Sequence, residues 1–519
     1  MKNPLETQEL TLRSIALAVA GSTLIAASST YVALRIGALP WPTIFVAVLS
    51  MAVLRPLGAS LREINVAHTG MSAGGLVAGG LAFTLPGVWM SDPGSSLGIG
   101  TVAVVAIVGA ILGVAFTGLL RKHFVVDLDL PFPMGVAAAR TLQAGDKGGR
   151  KAWVLFTSCG FSGVLTWLRD AVGLIPALLG KGPLLSVWVS PMALGIGFII
   201  GPLYMGTWAL GAVAAHWLLV PAGLHLGFFP DGAVAEAFRS SLGIGVIVGA
   251  GVAVLFRGAA RSFFQSLSSS KGSFGVVAAV GAASALVLTW LAGIPLVPSL
   301  LATAGVWVTV VMAATITGQT GIDPMEIFGI LVLLTVRTIW HIGGQEAFLV
   351  TAVVAVATGL AGDAMQDLRA GSILGTDPRA QLVSEAAGGI AGAVAAAFTV
   401  FLLREAFGTM GPGTELAAPQ AFAVKSMIDG LPDRGAFLAG LAGGFVLSLV
   451  GVPCMTVGIG IYLPVAISLA AGAGGIIRAV TGRLFPRGED DLTLVASGFL
   501  GGEGIAGVLF AFWKVVTLG

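Results

Sequence analysis

The chain has 519 residues, of which 56% are hydrophobic and only 10% are charged, and its mean hydropathy is +0.96. Because soluble domains carry about 25% charged residues, this composition excludes a soluble globular protein and indicates a protein that spans a lipid bilayer. The formal net charge of +2 gives no indication of a nucleic-acid partner.

Apolar runs of about the length of a membrane span follow one another along almost the whole chain. A transmembrane helix needs about 20 mostly apolar residues. The runs that approach this length are 14–36, 40–55, 66–88, 99–120, 151–172, 187–222, 240–257, 273–292, 297–318, 325–340, 346–367, 381–403, 435–453, 456–480 and 492–515. Two of them, 187–222 and 456–480, are interrupted, so each counts either as one broken span or as two short ones. The sequence therefore predicts an all-α polytopic membrane protein with about 14–16 transmembrane helices.

Two further apolar segments, 131–143 and 419–429, are too short to cross a membrane. Their composition is too apolar for open loops, so we expect re-entrant or interfacial helices. Prolines also lie within or beside several of the long runs. Non-helical backbone at membrane depth survives only where protein or a water-filled cavity satisfies its polar groups. The breaks therefore point to an internal cavity.

The two halves of the chain can be aligned with each other at a shift of about 282 residues, which places segment 41–55 on segment 323–337. The two short segments superpose at nearly the same shift. A chance match between Gly/Ala/Val-rich spans is the alternative explanation. A duplicated architecture with sites at the repeat interface is typical of secondary transporters. We therefore predict two pseudo-symmetric transmembrane repeats, at 1–257 and 294–519, joined by a connecting span at 258–293.

Asp323 and Glu326 lie on either side of Pro324 in the sequence GIDPMEIF. An aspartate at the N-cap, a proline at the first helical position and a glutamate at the third form a capping arrangement. We therefore expect these two acids to cap a helix.

Asp363 and Asp367 lie four residues apart at the end of an apolar run and are followed by Arg369. On a helix the two carboxylates share one face, and an acid within the membrane costs several kcal/mol unless it is compensated. One interpretation is that the helix ends at the water interface, where both acids are solvated. Our hypothesis is that the helix breaks after Arg369, that Asp367 pairs with Arg369, and that Asp363 exchanges a proton in a transport cavity.

Glu503 lies about eleven residues into the last apolar run and has glycines on both sides. Its side chain is too short to reach the interface from that depth. We expect it to face a central cavity and to act as a proton acceptor that takes part in coupling or substrate binding. The alternative is a protonated acid that is hydrogen-bonded to backbone where two helices cross at the glycines.

Arg140 and Lys425 lie at similar places in the two short segments. They are candidates for holding an anionic substrate, and contact with lipid phosphates is an equally good explanation. No pair of histidines has helical spacing and neither cysteine lies in a metal-binding motif, so we expect no metal site and no cofactor.

Four stretches of the chain form a recognisable set: LREINVAHTG with Glu63, Asn65 and Thr69, LPFPMGVAAA with Pro133 and Gly135, DLRAGSILGTDPRAQ with Asp367 and Arg369, and SGFLGGEGIAGVLF with Gly502, Glu503 and Gly504. Together they resemble the oligopeptide transporter (OPT) superfamily, including its yellow stripe-like metal-chelate branch. The Asn-Pro-Gly and Lys-Ile-Pro-Pro-Arg motifs of the peptide-transporting branch are absent from the sequence. The resemblance is therefore closer to the yellow stripe-like and prokaryotic branch.

This resemblance implies a secondary active transporter that imports small peptides or metal-chelate complexes by proton-coupled symport, and it adds Glu63 and Asn65 to the candidate site residues. The expected partners are the substrate, protons and the lipid bilayer of the cell membrane, with a homodimer allowed. A membrane channel, or a symporter coupled to another ion, is the alternative. No grouping of catalytic residues favours a membrane-embedded enzyme.

Overall fold

The computed structural model describes residues 9–37, 39, 43–145, 149–180, 186–269, 274–320, 323–429, 433–484 and 489–518. These residues are almost entirely helical, which confirms the prediction of an all-α polytopic membrane protein. Eleven helices in this part of the chain are long and apolar enough to cross a membrane. The predicted number of 14–16 was higher because it counted shorter runs such as 40–55 and 325–340, which form helices of 12 and 15 residues.

The first half of the chain contains eleven α-helices and a two-stranded antiparallel sheet. The helices are α1 (Leu12–Ile36), α2 (Thr43–Leu54), α3 (Leu61–Ala82), α4 (Pro86–Ser91), α5 (Ile99–Arg121), α6 (Pro133–Gly145), α7 (Arg150–Asp170), α8 (Pro191–Ile200), α9 (Pro202–Ala212), α10 (Val220–His225) and α11 (Gly232–Ser269). Short 3₁₀ and π segments extend three of them, at Arg55–Leu57, Lys122–Asp127 and Val213–Leu219. Strands β1 (Leu178–Leu179) and β2 (Val187–Trp188) pair Leu178 with Trp188.

The second half of the described chain is helical throughout. Its helices are α12 (Phe274–Ala292), α13 (Leu296–Thr320), α14 (Met325–Ile339), α15 (Gly344–Leu374), α16 (Pro378–Phe407), α17 (Pro419–Asp429), α18 (Arg434–Leu449), α19 (Cys454–Tyr462), α20 (Val465–Leu484) and α21 (Glu489–Leu518).

The two runs that the sequence marked as interrupted are broken helices. Run 187–222 is divided between α8 and α9 at Gly201, whose φ of 90° few other residues adopt. Run 456–480 is divided between α19 and α20 at Leu463 and Pro464. Each following helix starts at or directly after a proline, which has no N–H to contribute to the preceding helix.

The chain forms two compact units, each assembled from separate parts of the sequence. Unit 1 contains residues 1–30, 41–152 and 258–402, and unit 2 contains residues 31–40, 153–257 and 403–519. Both units therefore draw on both predicted repeats. The boundaries of those repeats stay a prediction.

Helix α15 forms the centre of unit 1. Every residue from Ala347 to Leu368 is buried, and the helix packs against α3, α5, α6, α13 and α14. A membrane helix that is covered on all sides meets no lipid, so polar side chains on it can contact only other protein groups or enclosed water.

The two short helices, α6 in unit 1 and α17 in unit 2, begin in the same way. The residue before the initial proline, Phe132 or Ala418, is in the left-handed conformation with φ of 41° or 40°. Its backbone N–H donates to a carbonyl group near the end of a long helix, that of Gly318 (2.9 Å) or Leu34 (2.8 Å). A non-glycine residue at positive φ is uncommon. Two such entrances at similar places in the two halves are what a duplicated chain would produce.

Candidate functional site

A buried cluster of polar side chains lies among helices α3, α15 and α16 of unit 1. Ser60 caps the start of α3 by accepting a hydrogen bond from the backbone of Glu63. Helix α15 ends at Gly375, where φ is 72°, and Pro378 then starts α16. This tight connection brings the first turns of α16 back beside the last turns of α15. The cluster therefore combines residues from widely separated parts of the sequence.

Three carboxyl groups form the core of the cluster. Asp363 and Asp367 on α15 are each 2% exposed, and Glu385 on α16 is fully buried. Among the described residues, no arginine or lysine side chain forms an ion pair with any of the three. An interfacial position with both aspartates solvated, one of the two sequence interpretations, does not agree with this burial.

Asp367 is held by its neighbours. Ser72 donates to its Oδ2 atom (2.7 Å), and His68 places Nδ1 at 3.6 Å from its Oδ1 atom. Gln381 donates both to the backbone carbonyl of Asp367 (2.8 Å) and to Thr69 (3.0 Å). Because His68 and Ser72 are one turn apart on α3, they present themselves on the same face of that helix. Helix α3 therefore orients the Asp367 carboxylate, and α16 binds the backbone carbonyl of the same residue.

Several polar atoms in the same cluster have no hydrogen-bond partner in the described part of the chain. They are Asp363 Oδ2, both carboxyl oxygens of Glu385, and both ring nitrogens of His68. Buried polar groups are nearly always paired, so an exception of this kind calls for an explanation. Carboxyl groups without a cationic partner are best accommodated when they hold protons, because closely spaced carboxylates do not ionise together. The arrangement can therefore bind and release protons.

The sequence predicted that Asp323 caps a helix, but the structure shows that it does not. Helix α14 begins after Pro324 with no side-chain hydrogen bond at its cap, and both carboxyl oxygens of Asp323 are buried without a partner. Its carboxyl group lies against Gly362 of α15, where any side chain would collide with it. Asp323 therefore lies beside the residue that precedes Asp363, at the break between α13 and α14.

The prediction for Arg369 was wrong in two respects. Helix α15 does not break after this residue but continues to Leu374. The Arg369 guanidinium pairs with Asp129 (2.6 Å), whose side chain is 70% exposed, and not with Asp367. On a continuous helix, residues two positions apart point to different sides. Arg369 therefore faces outward while Asp367 faces the cluster.

Glu63 and Asn65, the residues suggested by family resemblance, occupy the start of α3. Glu63 accepts hydrogen bonds from Arg13 at Nε (2.6 Å) and Nη2 (2.8 Å) and from Thr11 (2.5 Å). Asn65 is fully buried and donates to Thr376 (3.2 Å), while its Oδ1 atom has no partner. Glu63 therefore fastens the start of α1 to α3, and Asn65 borders the acidic cluster.

Glu503 lies in unit 2, in a different environment from the one we expected. It is fully buried and accepts hydrogen bonds from Arg169 Nη1, Ser190 Oγ and the backbone N–H of Met192, each at 2.9 Å. Hydrogen bonds between a guanidinium and a carboxylate are stronger than those between neutral groups. Glu503 therefore has a buried cationic partner, and its role in coupling or substrate binding stays a prediction.

The glycines beside Glu503 have a packing role. At Gly502 a side chain would collide with the backbone carbonyl of Cys159 on α7. Small residues of this kind let two membrane helices approach closely. The alternative sequence interpretation, a crossing of helices at the glycines, therefore describes the packing correctly, although the acid is bonded to Arg169.

Arg140 and Lys425 have different surroundings. Arg140 is exposed on α6 of unit 1, whereas Lys425 on α17 of unit 2 pairs with Asp429 (3.3 Å), one turn further along the same helix. Their role in holding an anionic substrate stays a prediction.

Sequence reasoning missed three residues of the cluster. Glu385 is an acid inside apolar run 381–403, so the criterion that identified Asp363 would also have found it. His68 and Ser72 carry no comparable signal, since isolated histidine and serine residues are common in membrane helices. In the described part of the chain, no group of three or more His, Cys, Asp or Glu side chains is arranged to hold a metal ion.

Comparison with known proteins places this architecture among transporters. A family model with the description "OPT oligopeptide transporter protein" matches residues 9–269 and again 265–514. A protein of Haemophilus influenzae, named as a candidate oligopeptide transporter, is 24% identical to this chain over 597 aligned positions. The alignment covers 93% of this chain and 92% of that protein.

Proposed function

Because the chain belongs to the OPT oligopeptide transporter family, we propose that it is a proton-coupled symporter that carries short peptides across the cell membrane. The single observation that supports the coupling ion is the cluster of Asp363, Asp367 and Glu385, three buried carboxyl groups without an arginine or lysine partner among the described residues. The relative's name supports the peptide substrate.

In this proposal the cluster carries the proton, and its members have different tasks. Asp363, whose Oδ2 atom lacks a partner, and Glu385, whose two carboxyl oxygens lack partners, gain and lose protons during each transport cycle. Asp367, which is bound by Ser72 and adjacent to His68, sets the position of the other groups. A protonated cluster is neutral and fits the membrane interior, whereas an ionised one requires water or a cation. Proton binding can therefore favour one conformation of the transporter over another.

The proposal predicts that an inward proton gradient drives accumulation of peptide. We expect proteoliposomes that contain the purified protein to accumulate a radiolabelled tripeptide mixture above equilibrium when the outside is more acidic. The gradient should lose its effect when a protonophore is added. A sodium gradient at equal pH on both sides should give only equilibration.

Two further outcomes distinguish the alternatives. Uptake that never saturates and never exceeds equilibrium would indicate a channel, because a channel cannot couple a substrate to an ion gradient. Accumulation driven by sodium alone would replace the proton with another coupling ion. Ferric and zinc chelates are offered as competitors in the same assay, since the sequence resemblance includes a metal-chelate branch; inhibition by a chelate but not by peptides would overturn the peptide assignment.

A further inference from the structure

A buried arginine in unit 2, remote in sequence from the acidic cluster, has the features of a carboxylate receptor. Arg35 lies in the last turn of α1, and its side chain is 10% exposed. Its Nε atom donates to the hydroxyl group of Tyr31 (3.1 Å). Three aromatic rings surround its Cζ atom, those of Tyr31 and Trp188 at 5.3 Å and that of Phe407 at 5.6 Å. The guanidinium is therefore fixed in orientation by an aromatic cage.

The partner of this arginine is not buried with it. Arg35 Nη2 donates to Glu415 Oε2 (3.1 Å), and the Glu415 side chain is 66% exposed. Glu415 belongs to the turn between α16 and α17, which contains Gly411 and Gly413 and closes through a hydrogen bond from Gly411 N–H to the Leu416 carbonyl (2.9 Å). An ion pair with one partner in solvent contributes little to stability. The Glu415 carboxylate can therefore be exchanged for another carboxylate at small cost.

The neighbouring arginine shows how a permanent pair is built in the same unit. Arg169 also lies beside Trp188, with Cζ at 5.2 Å from the ring centroid. Its carboxylate partners, however, are Glu503 at 0% exposure and Asp170 at 13%, and it binds Asp170 through both Nε and Nη2. Arg35 donates only one hydrogen bond to Glu415, although a guanidinium can bind a carboxylate through two parallel hydrogen bonds. The difference between the two arginines indicates that Arg35 binds its carboxylate partner reversibly.

We propose that Arg35 binds the C-terminal carboxylate of the peptide substrate, and that Glu415 occupies this position while no substrate is bound. This inference rests on the proposed transport of peptides and names the group by which the substrate is recognised. The aromatic rings around Arg35 contact the apolar part of the last peptide residue, and the guanidinium forms the bidentate pair that Glu415 leaves incomplete. A peptide amide lacks the charged acceptor and binds less well.

The test compares free peptides with their C-terminal amides. The probes are a mixed tripeptide library and the same library with amidated C-termini, and the readout is the rise in thermal unfolding temperature of the purified protein in detergent. A ligand that binds only the folded state raises this temperature. For the unmodified protein we expect the amidated library to require a roughly tenfold higher concentration for the same rise, as the loss of a charged hydrogen bond implies.

Four substitutions make the assignment specific. Arg35→Gln should abolish the difference between the two libraries, and Arg35→Lys should reduce it. Glu415→Gln changes an exposed side chain and removes the internal competitor for Arg35. It should therefore lower, by roughly threefold, the concentration of free peptide that gives the same rise in unfolding temperature. Arg434→Gln, which replaces an exposed arginine of α18 in the same unit, is the matched control and should preserve the difference.

The proposal is overturned if the unmodified protein responds equally, or not at all, to both libraries. It is also overturned if Arg35→Gln retains the difference, if Arg434→Gln removes it, or if Glu415→Gln leaves the affinity for free peptides unchanged. Because binding is measured without a gradient, failure of proton-driven uptake would reject the symporter and leave the Arg35 assignment standing. Proton-driven uptake together with a failed binding test would reject only the assignment of Arg35.

Discussion

Replacing Asp363 with asparagine is expected to abolish proton-driven accumulation of substrate while the protein folds normally. The Oδ2 atom of Asp363 has no hydrogen-bond partner, so the amide can take the place of the carboxyl group without breaking a bond to that atom. Asparagine cannot gain or lose a proton, and the coupling step is therefore lost. In proteoliposomes, accumulation should fall to the level seen without a gradient. The remaining uptake should no longer depend on pH between about pH 5 and 8, where groups with near-neutral pKa values change their charge.

Asp367→Asn serves as the matched control, because it makes the same chemical change one helical turn away. Asp367 accepts a hydrogen bond from Ser72 and lies beside His68. Its replacement should therefore lower the free energy of unfolding by about 1–3 kcal/mol and reduce the yield of folded protein. The pH dependence of the remaining transport should persist. If Asp363→Asn keeps the pH profile of the parent, the proton path lies elsewhere; if exchange of substrate without a gradient is also lost, Asp363 acts in substrate binding or folding.

The fold was predictable from the sequence because the membrane imposes a simple compositional rule. Any span in lipid must satisfy its backbone hydrogen bonds internally and present apolar side chains, so long apolar runs become helices. Run 346–367 and run 492–515 lie within α15 and α21. The number of spans was less predictable, since α14 and α18 have 15 and 16 residues, near the limit for crossing. Helix length at such places depends on neighbouring helices, which the sequence does not contain.

The candidate site was predictable only where a single residue violates the membrane rule. Asp363 and Asp367 were found because acids are rare in apolar runs. Their partners on α3 are remote in sequence: Ser72, which binds Asp367, lies 295 positions away. The continuation of α15 past Arg369 could not be foreseen from local propensity, because Gly371 weakens a helix in isolation. In the structure, Gly371 packs closely against Gln381, which also bonds to the Asp367 carbonyl. Tertiary contacts therefore override the local signal.

Glu503 illustrates the same limit in the opposite direction. Depth and flanking glycines indicated a proton acceptor, yet its cationic partner lies 334 positions away on α7. A buried carboxylate is expected to hold a proton only if no cation accompanies it. The two acidic sites, Asp363 and Glu503, therefore look alike in the sequence and have opposite charge environments in the structure.

This difference leads to the largest expected effect on stability, which is that of Arg169→Gln. The Arg169 side chain is fully buried and binds Glu503, Asp170 and the carbonyl group of Val189. Its removal leaves two carboxylates without their cation, and breaking a buried pair by removal of one partner costs about 3–5 kcal/mol. We expect a strong decrease in the thermal unfolding temperature in detergent, together with a low yield of monodisperse protein in size-exclusion chromatography.

Glu503→Gln should destabilise the protein less than Arg169→Gln, because Arg169 keeps both of its hydrogen bonds to Asp170. The double variant should lose less stability than the sum of the losses in the two single variants. Arg369→Gln is the matched control: its partner Asp129 is 70% exposed, so its loss should cost at most about 1 kcal/mol. The decisive comparison is with transport. If Glu503→Gln is as stable as the parent and its uptake is independent of pH, then Glu503 carries the proton and the buried pair with Arg169 is not permanent. Reduced stability with an unchanged pH profile of uptake is the result that the geometry predicts.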